Sequence, residues 1–152
     1  MIVSEFIPPV LFVRWHDQCE PIDVDRIRIA TEAAYREMGG PVVYVAAIPE
    51  DVPPPDAETR AALHAGTEHG RTRFATMHLV LEGDGLKRTV IRSLTAGMML
   101  ATGGAFSIHT HVVDALVAAR KKVPFDFEDI FLRGRDAGMF GDEHGSSSVS
   151  SK

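Results

Sequence analysis

The chain has 152 residues, 45% of them apolar and 24% charged, with a formal charge of -5 and one cysteine. This is the composition of a single folded domain rather than of a chain disordered over most of its length, and its negative field opposes attraction to a polyanion, so nucleic acid is not an expected partner. A lone cysteine excludes an intramolecular disulfide and a Cys-x-x-Cys metal knuckle, and it fits a reducing compartment.

The first fifteen residues, MIVSEFIPPVLFVRW, carry Glu5 and two prolines and lack a basic leader and a small-residue cleavage pattern, so no signal peptide is expected. No apolar run reaches the roughly eighteen residues of a membrane span, and a cytoplasmic location follows as the expectation. Residues 10–15, VLFVRW, are β-prone and bounded by Pro8-Pro9 and Asp17, which predicts a strand. From Pro21 the period changes: Ile27, Ala30, Thr31, Ala34 and Met38 share one helical face, Asp23 is placed as a cap, and Gly39-Gly40 ends the helix. PVVYVAAI is a nearly uninterrupted apolar strand, as expected of one covered on both faces.

Three prolines at 53–55 make a stiff connection to a second helix, with Asp56 as its N-cap and Glu58 in its first turn. ATMHLVLE predicts a third strand, LKRTVIRSLTAGMMLATGG a third helix stopped by Gly103-Gly104, and AFSIHTH a fourth strand. VVDALVAARKK closes the alternation as a helix with a cationic end, and FDFEDIF reads as one more helical turn docking Phe127, Ile130 and Phe131. The expected fold is α/β, a mixed and mostly parallel sheet of about four or five strands with flanking helices in βαβαβαβα order. Residues 1–138 form the expected domain, and the Ser-rich stretch 139–152 reads as a disordered tail.

Gly83-Asp84-Gly85 lies between a strand and a helix, where backbone amides can hold an anion, with Lys87, Arg88 and Arg92 adding positive charge. The P-loop spacing is absent, however, and Glu82 and Asp84 would repel a phosphate, so a structural turn or a partner-contacting loop at a strand's carboxyl end is the expectation. His109 and His111 are two apart and would project to one side of a strand; His78, and Glu82 by parity, would join them if the strands are adjacent, making a candidate metal set. The plainer account is a polar strand face, with His111 already in the turn before the last helix. His16, Asp17 and Cys19 suggest an activated thiol only if they meet in space, and Thr89 and Ser93 are helix hydroxyls with basic neighbours.

With this order of elements, GGPVVYVAAIPEDVPPPDAETRAAL, and HLVLEGDGLKRTVIRS entering the third helix through an acidic turn, the chain resembles the STAS or SpoIIAA-like group of anti-sigma-factor antagonists, most closely bacterial stand-alone regulatory members, over about residues 10–120. Members of the antagonist type carry a phosphorylatable Ser or Thr in the turn that corresponds to Glu82–Leu86, where this chain has no hydroxyl, so no phosphoswitch is carried over. The resemblance implies a non-catalytic domain without a cofactor that binds another protein or itself. The expected contact surface is Glu82, Gly83, Asp84, Gly85, Lys87, Arg88 and Arg92, the expected assembly is a homodimer held by incompletely covered apolar strands, and the protein partner is unidentified. The alternative is a metal-dependent enzyme or small-ligand binder using His78, His109, His111 and Glu82.

Overall fold

The computed structural model describes residues 1–83 and 106–141. Within them the chain runs β1 (Ile2–Ile7), β2 (Val10–Trp15), α1 (Pro21–Met38), β3 (Val42–Ile48), α2 (Ala57–Gly70), β4 (Phe74–Leu81), β5 (Phe106–His109), α3 (Val112–Arg120) and α4 (Phe127–Asp136). The five strands form one sheet in the order β1-β2-β3-β4-β5. β1 is antiparallel to β2, and every later pair is parallel. The mixed, mostly parallel α/β sheet expected from the sequence is therefore present.

Each β-α-β step moves the chain one strand further in the same direction, and right-handed crossovers then place α1 and α2 on the same face of the sheet. Residues of one parity (Leu11, Val13, Trp15, Val42, Tyr44, Ala46, Ile48, Met77, Leu81) bury against Val24, Ile27 and Ala30 of α1 and Leu63 of α2. The other parity (Val10, Phe12, Val43, Val45, Ala47, Val80) buries against Val112, Ala115, Leu116 and Ala119 of α3 and Ile130 of α4. All seven residues of β3 are buried, which is why that segment reads as an unbroken apolar run.

The element ends follow local chemistry. α1 begins with a capping box in which Glu20 is the N-cap and Asp23 is N3, its carboxylate accepting the Glu20 N–H at 2.9 Å; Asp23 is thus a box partner rather than the cap itself. Gly39 closes the helix in the left-handed region at φ 77°, as the Gly39-Gly40 pair suggested. Asp56 caps α2 by accepting the Thr59 N–H at 2.8 Å, as expected.

Several features depart from the sequence reading. Residues 2–7 form a strand, joined to β2 by a turn at Pro8-Pro9 whose peptide bond is cis; the prolines had marked only a boundary. FDFEDIF belongs to a ten-residue helix rather than a single turn, with Ile130 buried and Phe127 and Phe131 packed on the core beside it. Met139 and Phe140 are buried in the same cluster, so the domain extends to Gly141, three residues past the expected boundary at 138. The helix expected at 86–104 and the remainder of the expected tail, 142–152, lie outside the described residues. No helix among the described residues is long and apolar enough to cross a membrane.

Candidate functional site

Parallel strands end together, and the carboxyl ends of β2, β3 and β4 bring Arg14, Ile48 and Glu82 to one rim. Arg14 pairs in register with Ala47 of β3, which pairs with Val80 of β4, so these side chains share the α3/α4 face. Ala47 is small enough to let the Arg14 guanidinium reach across β3. It meets Glu82 with two hydrogen bonds, Nη1 to Oε2 at 3.0 Å and Nη2 to Oε1 at 3.2 Å. Both partners are largely buried, and the paired geometry satisfies the carboxylate where solvent does not. Gly141 adds a third bond, its N–H donating to Glu82 Oε2 at 2.5 Å, while the Glu82 N–H donates to the Ile48 carbonyl at 3.0 Å. Gly83 follows at φ 81°, where a β-carbon would collide with Glu50. The root of the strand-to-loop junction is thereby fixed from four directions: β2, β3, the chain's last described residue and the Gly83 turn.

A second polar group lies on the same face, inside the sheet. β4 and β5 are neighbours, with His78 opposite Ser107 and Val80 opposite His109. The Ser107 hydroxyl sits 2.9 Å from His78 Nδ1 and 2.9 Å from His109 Nε2, and the two ring nitrogens are 3.2 Å apart. The Thr76 hydroxyl occupies the other side of the His78 ring, 2.8 Å from Nε2. Burial lowers the His78 pKa to about 4, with the charge on His109 pushing the same way. Burial lowers His109 too, partly countered by the carboxylate of Asp114. The result is a neutral pair of imidazoles threaded by hydroxyls, in which one Ser107 oxygen serves both rings as donor and acceptor.

The sequence reading placed His78, His109, His111 and Glu82 together, and the structure joins only the first two. His111 has left the strand: it is the exposed N-cap of α3, because β5 ends at His109. Glu82 shares the face of His78, as parity suggested, but its carboxylate is occupied by Arg14 and Gly141. Among the described residues no three His, Cys, Asp or Glu side chains converge on a point that could hold a metal ion. Cys19 is buried, and desolvation, followed by the field of Asp23, pushes its thiol up to about 12, opposite to the shift an activated nucleophile needs. Of the expected contact surface, Glu82 and Gly83 are placed; Asp84, Gly85, Lys87, Arg88 and Arg92 lie outside the described residues, as do Thr89 and Ser93.

Arg14, Ser107, Thr76 and Gly141 escaped the sequence reading. Ser107 and Thr76 carried a usable signal, since each lies two residues from a histidine already singled out on the same strand. Arg14 and Gly141 carried none, since their partner is 68 and 59 residues away. The chain was compared with protein-family models, with curated proteins and with solved structures, and none of them matches it.

Proposed function

We propose that this chain is a non-catalytic regulatory or protein-interaction module of the STAS-like type, working in the cytoplasm and engaging a protein partner through the strand-to-helix loop at 82–86 and the basic residues Lys87, Arg88 and Arg92. The observation that carries the reading is the clamp on Glu82. A buried arginine-carboxylate pair, closed by a backbone N–H from the end of the domain, fixes where the loop leaves the sheet, and a rigid root reduces the entropy lost when a loop docks on a partner. The architecture is a second support: a mixed, mostly parallel sheet with flanking helices is the fold class that the resemblance implies.

The test is affinity capture from extracts of the source organism with two baits, wild type and a Lys87→Glu/Arg88→Glu variant, matched by circular dichroism. The expected outcome is a protein retained stoichiometrically by the first bait and lost from the second, with binding that weakens as salt rises because the contacts are exposed and charged. Identical retained sets from the two baits would remove the loop and its basic flank from the proposal.

A further inference from the structure

The face of the sheet away from the Glu82 clamp holds a cavity of about 110 Å³ beneath α1 and α2. Its floor is the sheet (Trp15, Tyr44, Ala46, Met77) and its roof includes Leu63 of α2, so the enclosure is apolar. A basic side chain in its lining sets it apart from a packing defect. Arg60, half-buried, lines the cavity and makes no ion pair among the described residues, with the Asp56 carboxylate the acidic group that feels its charge. Its Nη1 donates to the Pro55 carbonyl at 2.9 Å, and the remaining guanidinium N–H groups stay available for a carboxylate fork. The other basic groups in the lining are engaged: Arg28 lies 3.8 Å from Asp25, and His69 contacts Glu32, which also accepts from Arg73 at 2.9 Å.

We infer that this cavity is a binding site for a small monocarboxylate, an aliphatic acid with an apolar body of about four or five carbons, held with its hydrocarbon between the sheet and α2 and its carboxylate on Arg60. The size follows from the volume: an apolar cavity of about 150 Å³ holds the six carbons of benzene, so one of about 110 Å³ holds about four or five, as in hexanoate with its carboxylate on Arg60. The class follows from the lining: apolar walls beside one guanidinium with N–H groups to spare select an amphipathic anion over a sugar or a nucleotide. The site is separate from the loop at 82–86 and lies on the opposite face of the sheet, so it stands or falls independently of the partner-binding proposal.

Trp15 is the chain's only tryptophan, so intrinsic fluorescence reports on the cavity wall directly. The experiment titrates full-length protein with hexanoate, hexanol and hexylamine, reading Trp15 emission and isothermal heats. Hexanoate is expected to saturate with a Kd of hundreds of micromolar or tighter, on the order of what eight heavy atoms support, and to bind at least about ten-fold tighter than hexanol. Arg60→Met should bring hexanoate to the hexanol level while leaving hexanol unchanged, and Ala46→Leu, which fills the floor, should abolish both. Arg60 lies outside the core, so its variant keeps the test decisive even if Ala46→Leu fails to fold. No saturable hexanoate binding up to about 10 mM, equal affinity for hexanoate and hexanol, or an unchanged Arg60→Met would each overturn the inference.

Discussion

Burial holds His78 neutral, and neutrality has a consequence for folding. Its ordinary pKa is 6.5 and its folded value is about 4. Between these values the unfolded chain binds the proton more readily, so stability is fully present above about pH 6.5, falls as the pH drops, and levels off below about 4. The contribution lost by pH 4.5 is about 2 kcal/mol. Urea unfolding of wild type and His78→Gln at pH 7.5 and 4.5 measures it directly. The wild type is expected to lose about 2 kcal/mol more than the variant over that interval; equal losses would show that His78 is protonated without cost in the folded state. Glu82 and Arg14 present the converse case at the same scale, two charges that stay buried because each satisfies the other, with Ala47 between them as the small residue that permits contact.

At the scale of elements, α4 depends on a glycine. A β-carbon at Gly134 would stand 3.0 Å from Phe12 Cζ and 3.1 Å from Phe140 Cε2, both in the core beneath the helix. Replacing a helical glycine by alanine normally gains up to about 1 kcal/mol, whereas overpacking a core costs about 1–3. The two terms should leave Gly134→Ala destabilised by about 1 kcal/mol, measured by the urea midpoint. Gly66→Ala in α2 should move the opposite way, since its β-carbon meets only Val24 Cγ1 at 3.6 Å. Two variants of the same chemistry with opposite signs separate packing from propensity; a gain in both would mean that α4 can lift off the sheet freely. Elements were also where the sequence was most legible. Period 3.6, Asp56 and Gly39 located α1 and α2, and the apolar run 42–48 announced a doubly covered strand. β1 was hidden because Ile2–Ile7 is a half-exposed edge strand with weak patterning, and Pro8-Pro9 resembles a boundary rather than a hairpin. The site was less legible, because the His78–His109 contact requires β4 beside β5 and the Arg14–Glu82 pair requires β2, β3 and β4 in that order, and strand order is a tertiary fact that no local pattern encodes.

For the whole molecule, the sequence suggested self-association through sheet faces that the helices leave bare, but β2 and β3 are covered on both faces. Apolar surface is instead found on the outside of α1, where Ile22 and Ile29 are 58% and 61% exposed. They are seven residues apart, with Ala33 four further on, so they form one stripe on the side of α1 opposite Val24, Ile27 and Thr31. Arg26 sits within that stripe, a charge that a helix pairing antiparallel with its copy can place at the edge of a twofold contact. A homodimer through α1 is therefore the expected assembly, and a weak one, because a single helix face buries less than the roughly 1,200 Å² typical of stable interfaces. Sedimentation velocity from about 1 to 300 μM is expected to show a monomer converting to a dimer, with Ile29→Glu shifting the conversion at least ten-fold higher in concentration and leaving the helical circular dichroism unchanged. A monomer across the whole range would leave the exposed isoleucines without a role in self-association. A dimer unaffected by Ile29→Glu would move the interface to another surface, with the edge strand β1 and its exposed Val3 the next candidate, since its outer edge has no partner strand among the described residues and such an edge is a template for pairing.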